Sequence, residues 1–460
     1  MRKKYDVIIV GAGPAGIFCA VEMVTGNNLK ILILERGKDI SKRKCPVRGT
    51  TKNCIHCTPC DLLCGWGGAG AFSDGKLTLS TDVGGNLTKF VSESIARELI
   101  KTADDLYLKF GAPTEVFGAD EDDIKELQKK ASLANLILIP YHLRHLGTEK
   151  CIEILRAIEE HLHDRVDIQT ESEVEKILVK DGRATGVKLK DGTTFQGNYI
   201  VVAPGRHGSE WLTSEATRLK LDTFINPVDI GLRVEVPATV AEPITHGVYE
   251  SKFIYYSKSF DDKIRTFCMC PYGEVASEYS DGIVTVNGHS YKDKKTDNTN
   301  FALLVSKTFT HPFKDPIAYG QYIARLANIL SGGVMVQRLG DLQLGRRSTR
   351  ERIKKSLVKP TLKGATPGDL SLVFPYRHLS SLLEMLDALD MVAPGINSRH
   401  TLLYGVEVKF YSTRWVVDSN LETKIGNLFV AGDGAGITRG LIQASASGIL
   451  VAREIKKRES

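Results

Sequence analysis

The chain has 460 residues, of which 42% are hydrophobic and 25% charged, and its formal net charge is +6. This length and composition predict a globular protein with two or three domains. The small positive charge argues against nucleic-acid binding and suits acidic small molecules or an acidic, ferredoxin-like electron-transfer protein as partners. No apolar run reaches the roughly 18 residues of a membrane span, and no signal peptide precedes the first strand. We therefore expect a cytoplasmic protein that does not bind membranes.

The stretch Asp6–Glu35 has the pattern of a strand, a glycine-rich turn, a helix and a second strand. In the turn, Gly11 permits a tight bend, Gly13 lets a pyrophosphate approach the backbone, and Gly16 lets the helix pack against the strand. Glu35 ends the second strand, where a carboxylate accepts hydrogen bonds from ribose hydroxyls, and it argues against a 2′-phosphate. The stretch predicts a dinucleotide site, to which we assign Gly11, Gly13, Pro14, Ala15, Gly16, Glu35 and Arg36.

The cysteines follow directly after this unit. In a reducing compartment, nine cysteines indicate metal or redox chemistry rather than a disulfide framework. Cys54, Cys57, Cys60 and Cys64 have the C-x2-C-x2-C-x3-C spacing of bacterial iron–sulfur ligands, and Cys45-Pro46 resembles a remote ligand of such sites. Two ligand sets for a [4Fe–4S] cluster remain open, because either Cys45 or Cys64 completes the set. Reduced or packed thiols, a Cys-x-x-Cys redox pair and a zinc site are the alternatives.

A glycine-rich segment, residues 65–76, comes next. It has little side-chain bulk, so a planar or anionic group can lie against its backbone. The apolar residues between its glycines favour an ordered, buried loop. Asp74 and Lys76 are its polar groups, and the residues assigned to cofactor contact are Gly67, Gly68, Ala69, Gly70 and Lys76.

Residues 88–135 are predicted to be helical, and a further amphipathic helix runs from Thr148 to Leu162. Strands with hairpin turns at Asp181-Gly182 and Asp191-Gly192 follow, and the last strand leads into Ala203-Pro-Gly205. The predicted parts are a cofactor-binding domain from residues 1–80 (with the cysteine loop 45–64), 151–214 and 401–460, a helical connection over 81–150, and a mixed-sheet substrate domain over 215–400.

The segment from Asn427 carries a second cofactor signal. A buried strand ends at Gly432-Asp433, and Gly440, Leu441 and Ile442 open a helix of small residues. Asp433 can accept a hydrogen bond from a ribityl hydroxyl, and the helix N-terminus can face an anionic flavin carbonyl. This segment indicates that the dinucleotide is FAD.

Together these residues resemble flavoproteins of the glutathione-reductase-like superfamily. The matching pieces are Gly11–Gly16 with Glu35, the Val174 strand, Ala203-Pro-Gly205 and Gly432-Asp433. Within it the chain resembles the FAD-dependent dehydrogenase (NAD(P)/FAD-dependent oxidoreductase) family, through the motifs Gly67–Lys76, Arg144–Thr148, Gly231–Glu235 and Arg265–Pro271. It departs from the family pattern at Tyr272 and Asp433. The resemblance implies an α/β fold, with a Rossmann-like FAD domain of parallel sheet plus β-meander and an inserted mixed α+β domain. It adds Val174, Ala203 and Gly205 to the cofactor residues.

No second strand–GxGxxG–helix unit is present in the sequence, so we expect no separate NAD(P)H domain. Electrons would come from the substrate, from transient NAD(P)H or through the cysteine centre. We predict an FAD oxidoreductase that transfers a hydride between flavin N5 and a C=C, C=N or C–N bond of a small metabolite. The candidate catalytic residues are Lys76, Asp74, His145, Tyr404 and Arg414. The alternatives are a flavin electron-relay subunit and an RNA-modifying flavoenzyme. The sequence indicates neither the substrate nor the oligomeric state.

Overall fold

The computed structural model describes residues 4–26, 28–46, 55, 57–118, 120–224, 226–246, 248–280, 282–290, 295–309, 315–409 and 414–460. The chain forms two compact units. Unit 1 comprises Met1–Val116, Leu143–Phe224 and Ser412–Ser460. Unit 2 comprises Phe117–His142 and Ile225–Tyr411.

The strands, in chain order, are β1 (Lys4–Val10), β2 (Ile31–Leu34), β3 (Lys76–Leu79), β4 (Ile137–Ile139), β5 (His142–His145), β6 (Val166–Gln169), β7 (Val174–Lys180), β8 (Arg183–Leu189), β9 (Thr194–Val202), β10 (Thr223–Phe224), β11 (Val228–Pro237), β12 (Lys252–Tyr256), β13 (Lys263–Cys270), β14 (Glu274–Ser280), β15 (Ile283–His289), β16 (Asn298–Lys307), β17 (Met335–Arg338), β18 (Thr366–Pro367), β19 (Leu402–Lys409), β20 (Arg414–Trp415) and β21 (Leu428–Val430). The helices are α1 (Pro14–Met23), α2 (Glu93–Lys109), α3 (Glu121–Leu133), α4 (Thr148–Leu162), α5 (Ser209–Arg218), α6 (Ala238–Thr245), α7 (Pro316–Ser331), α8 (Leu339–Gln343), α9 (Arg350–Lys354), α10 (Tyr376–Val392) and α11 (Leu441–Glu459).

Unit 1 is built on a mixed sheet of order β6-β2-β1-β9-β8-β7, with β21 also paired to β9. The pairs β6–β2, β2–β1, β1–β9 and β9–β21 are parallel. β7, β8 and β9 pair antiparallel and form a meander. Residues Val7–Val10 of β1 and all of β2 are apolar and buried, as expected where a parallel sheet is covered on both faces. The predicted parallel sheet plus β-meander is therefore confirmed.

The hairpin turns of this unit form where the sequence predicts them. Asp181 and Gly182 have φ of 50° and 75° between β7 and β8. Two consecutive positive φ values belong to a type I′ turn, which the Asp-Gly dipeptide favours because glycine carries no Cβ. The local sequence thus suffices to specify this turn.

Unit 2 contains a sheet of order β18-β17-β19-β11-β16-β13-β12-β4. Its pairs are antiparallel except for β17–β18. The apolar face of the central strand β11 alternates with the charged residues Arg233 and Glu235, which are nevertheless fully buried. The predicted mixed, inserted domain is present.

The unit boundaries lie elsewhere than at the predicted residues 214 and 400. β10 pairs with β20 inside unit 1, and β19 pairs with β11 inside unit 2. The predicted connection 81–150 is also divided, because α2 belongs to unit 1 whereas α3 and β4 belong to unit 2. In the described part of the chain, no helix is both long and apolar enough to cross a membrane.

Candidate functional site

The glycine fingerprint lies at the carboxyl ends of the parallel strands of unit 1. Gly11 follows β1 with φ of +104°, and a Cβ there would lie 2.3 Å from the Ala203 carbonyl oxygen after β9. A Cβ on Gly16 would lie 2.0 Å from the Gly11 oxygen. On the neighbouring strand end, a Cβ on Gly432 would lie 3.0 Å from the Ala15 side chain. Three segments distant in sequence therefore meet at one edge of the sheet, and only glycine fits at their closest approaches.

The N-terminus of α1 is open to an anion. Its N-cap is Gly13, which has no side chain to accept hydrogen bonds, Pro14 has no N–H, and the first turn contains no acidic residue. A Cβ on Gly13 would meet no atom within 4 Å. The first-turn N–H groups have no partner within a helix, so they and the positive end of the helix dipole suit a pyrophosphate. This cradle fits FAD.

Glu35 is 6% exposed and is held by backbone groups of three segments. Its Oε2 accepts a hydrogen bond from the Ala12 N–H at 2.9 Å. Its Oε1 accepts from the N–H groups of Gly37 at 2.8 Å and Gly65 at 2.9 Å. A carboxylate offers about four acceptor positions, so one remains for a ribose hydroxyl.

The glycine-rich segment is ordered and lies along this site, as expected. The Gly67 N–H donates to the Ala12 oxygen at 2.8 Å. A Cβ on Gly68 would lie 3.1 Å from Gly13 Cα, and a Cβ on Gly70 would lie 2.7 Å from Leu441 Cδ2. Residues Gly68–Phe72 form a 3-10 turn in which Ala69 is exposed. The segment thus runs from the fingerprint to the N-terminus of α11.

Asp433 and the start of α11 complete the edge of unit 1. Asp433 Oδ1 accepts a hydrogen bond from Thr438 Oγ1 at 2.8 Å and from the Gly440 N–H at 3.3 Å. Gly440 is the N-cap of α11 and supplies no side-chain cap. A Cβ on Gly440 or Gly205 would meet no atom within 4 Å, whereas Ile442 is buried. The role of Asp433 toward a ribityl chain stays a prediction.

The cysteine loop is described only in part. Cys54 lies outside the described residues, Cys57 is exposed, and Cys45 and Cys60 are partly exposed. Cys64 is buried, and Arg36 Nη2 lies 3.0 Å from its sulfur. Burial raises the pKa of the Cys64 thiol, and the Arg36 guanidinium opposes this shift. No group of three or more metal-ligating side chains is found among the described residues. The iron–sulfur cluster therefore stays a prediction.

Two of the candidate catalytic residues meet at the end of the glycine-rich segment. Lys76 Nζ lies 3.3 Å from Asp74 Oδ2, and both side chains are largely buried. The Gly147 N–H donates to the backbone oxygen of Asp74 at 3.1 Å. This contact places the end of β5, with His145, beside Asp74 and Lys76. Sequence reasoning missed Cys151, whose sulfur a Cβ on Gly75 would approach to 2.5 Å. Burial, and secondarily Asp74, raise the pKa of Cys151 to about 12.

The other two candidates lie elsewhere. Arg414 belongs to unit 1, where its guanidinium lies 5.0 Å from the Phe224 ring and 5.9 Å from the Phe90 ring. Tyr404 belongs to unit 2, is fully buried, and donates to Glu235 Oε2 at 2.5 Å. Burial and then Glu235 raise the pKa of Tyr404. Their catalytic roles stay predictions.

Two arginines of the quoted motifs form buried ion pairs. Arg144 binds Asp104 through two hydrogen bonds of 2.8 Å within unit 1. In unit 2, Arg233 binds Glu407 through Nε at 2.8 Å and Nη2 at 3.0 Å, and both side chains are fully buried. Each pair lies in the interior of its own unit and is not part of the cofactor edge. Val174 is likewise a buried residue of β7.

The chain is similar in sequence to a known family and to a protein of comparable length. Residues 227–410 match the family described as "FAD-dependent protein, C-terminal domain-like". A protein of Clostridium beijerinckii, described as "Uncharacterized protein", is 28% identical over 476 residues, covering 98% of this chain and 81% of that protein.

Structural comparison gives matches with TM-scores below 0.5, among them two enzymes whose chains are almost fully covered. L-proline dehydrogenase from P. horikoshii is 10% identical with a TM-score of 0.42, covering 100% of this chain and 95% of that one. Formate oxidase from Aspergillus oryzae is 11% identical with a TM-score of 0.45, covering 99% of both chains. Similarities this distant indicate nothing about the substrate.

Proposed function

We propose that the chain is an FAD-dependent oxidoreductase that oxidises or reduces a C–C or C–N bond of a small metabolite, and the match of residues 227–410 to the FAD-dependent C-terminal domain family supports this. Bound FAD supplies a hydride acceptor or donor at its N5 atom. The observation that carries the proposal is the uncapped N-terminus of α1, open above Gly13, at the edge where β1, β9 and β21 end.

Different residues of unit 1 bind different parts of the cofactor. The first-turn N–H groups of α1 hold the pyrophosphate, and the free acceptor position of Glu35 takes a ribose hydroxyl. The positive end of α11, at Gly440, would stabilise the electron-rich edge of a bound flavin. The glycine-rich segment 65–76 would shield the cofactor from solvent.

We assign the proton transfer that accompanies hydride transfer to the Asp74–Lys76 pair. The Lys76 ammonium lies 3.3 Å from the Asp74 carboxylate, and this ion pair fixes its position. Lys76 then gives a proton to the substrate when the substrate is reduced, and Asp74 keeps the ammonium in position. Positioned general acids contribute about 10²- to 10⁴-fold to rates.

The proposal is tested with purified protein. Its visible spectrum should show flavin bands, and anaerobically reduced protein should be reoxidised by a member of a panel of 2-enoates and imines. Replacing Lys76 by methionine should slow this step roughly 100-fold or more while flavin stays bound. The control is the same change at exposed Lys101 of α2, which should have no effect. Protein that binds no flavin would overturn the proposal.

The proposal also includes the iron–sulfur cluster, the electron-transfer partner and the cytoplasmic location that the sequence predicts. Iron and sulfide analysis of anaerobically purified protein decides whether the cysteines hold a cluster that feeds electrons to the flavin. An acidic electron-transfer protein as partner is supported by the net charge of +6. A cytoplasmic location is proposed on the same footing, and fractionation of cells that express the protein would test it.

A further inference from the structure

The turn Cys60–Gly65 packs over the carboxylate that is assigned to the ribose. The N–H groups of Leu63 and Cys64 both donate to the Cys60 oxygen, at 3.0 Å and 2.9 Å, so the turn is a tight helical one. The Gly65 N–H then donates to Glu35 Oε1 at 2.9 Å. The cysteine turn is therefore joined directly to the ribose-binding group.

Charged side chains fix the turn in this place. Lys38 Nζ binds Asp61 Oδ2 at 2.8 Å. Arg43, which is 5% exposed, donates to two backbone oxygens, from Nε to that of Asp61 at 2.8 Å and from Nη1 to that of Trp66 at 2.6 Å. Packing is also close, because a Cβ on Gly65 would lie 2.4 Å from the Lys38 oxygen. The turn has little room to move while these contacts hold.

The course of the following residues gives the turn its position along the cofactor. Gly65 contacts Glu35 at the ribose position, Gly68 approaches Gly13 at the pyrophosphate position, and Gly70 approaches Leu441 at the start of α11. These contacts follow the order in which FAD presents its adenosine ribose, pyrophosphate and flavin. The cysteine turn consequently lies at the adenosine end, the end remote from N5.

We propose that the Cys60–Gly65 turn closes the adenosine end of the FAD site and that this turn governs how tightly FAD is held. The inference rests on the proposed FAD function. Loss of the Gly65–Glu35 hydrogen bond opens the adenosine end and frees Glu35 to turn away from the ribose. The flavin end, held by α11, keeps its contacts.

The test uses the full-length apoprotein and the change Gly65→Ala. Gly65 has φ of +116°, and the added Cβ would displace the turn from Lys38 and Glu35. The matched control is Gly192→Ala, which has φ of +90° but whose Cβ would meet no atom within 4 Å. Asp61→Ala is a second variant, which removes the Lys38 ion pair and leaves the Asp61 backbone contact intact. Thermal unfolding shows whether each variant folds.

The probes are FAD, ADP-ribose, which contains the adenosine and the pyrophosphate but no flavin, and FMN, which lacks the adenosine. For Gly65→Ala we expect the dissociation constants of FAD and ADP-ribose to rise about tenfold or more, since a hydrogen bond to a charged acceptor is lost. The Asp61→Ala variant should show a smaller rise in the same two constants. FMN affinity and the midpoint potential of bound flavin should match the wild type.

Two results would overturn the inference. Equal losses of affinity for FAD and FMN in the Gly65→Ala variant would mean that the turn contacts the flavin end. Unchanged affinities for FAD and ADP-ribose would mean that the turn is not part of the FAD site. Both differ from failure of the proposed function, in which the wild-type apoprotein itself binds no FAD.

Discussion

Replacing Gly13 by alanine separates the binding role of the glycine fingerprint from its folding role. Gly13 has φ of −83° and ψ of −178°, which any residue adopts, and its Cβ would meet no atom within 4 Å. The cost to the apoprotein is the difference between glycine and alanine at an N-cap, at most about 1 kcal/mol. The variant should therefore fold and unfold almost like the wild type.

The same methyl group occupies the space that the pyrophosphate needs. Moving the phosphate away from the helix weakens the hydrogen bonds from the first-turn N–H groups, each worth about 1.5–3 kcal/mol to a charged acceptor. Loss of two such bonds corresponds to roughly a 100-fold or greater rise in the FAD dissociation constant. Quenching of flavin fluorescence on addition of apoprotein measures this constant.

The control is Gly16→Ala, whose Cβ would lie 2.0 Å from the Gly11 oxygen. Overpacking of this kind costs about 1–3 kcal/mol, so this variant should lose apoprotein stability as well as FAD. The reasoning is refuted if the Gly13 variant binds FAD with wild-type affinity, or if it is destabilised as much as the Gly16 variant.

Three further changes test charges buried elsewhere. Arg233→Met should cost about 3 kcal/mol in thermal unfolding, because it removes the bidentate partner of buried Glu407 and leaves this carboxylate paired with Lys409 Nζ, at 3.1 Å. Burial, and then the Asp39 carboxylate, raise the pKa of Glu159 from 4.5 to about 8. Between these pH values the folded state binds a proton that the unfolded chain has lost, so the free energy of unfolding falls as the pH rises through this range. Glu159→Gln should flatten that fall in melting curves recorded across the range. Burial lowers the pKa of His378 from 6.5 to about 4. The unfolded chain therefore takes up a proton first, and the free energy of unfolding falls as the pH drops through this range. His378→Phe should remove this acid sensitivity, and an unchanged dependence of stability on pH would contradict the role given to His378.

The parts of the fold that depend on local sequence were predictable. The turn at Asp181-Gly182, the helix Thr148–Leu162 and the steric demands at Gly11 and Gly16 follow from backbone preferences of a few neighbouring residues. The expected parallel sheet with its meander follows from the same patterns.

Contacts between distant segments were not predictable in this way. Residues 117–142 belong to unit 2 because β4 pairs with β12, more than 100 residues later. The Gly65–Glu35 hydrogen bond and the approach of Cys151 to Gly75 arise only once the segments have folded together. A cysteine in an amphipathic helix looks like any core residue, so the sequence holds no signal that distinguishes Cys151.

The close contact between α1 and α11 bears on when the protein acquires its cofactor. A Cβ on Gly448 would lie 2.0 Å from the Ala15 oxygen, so the two helices assemble backbone against backbone. About 430 residues separate these positions, which takes roughly 20–90 s of synthesis at typical rates. During that interval the fingerprint exists without the helix that is proposed to face the flavin. FAD therefore has a complete site to enter only after α11 has been made, and loading follows synthesis of both helices rather than accompanying the first.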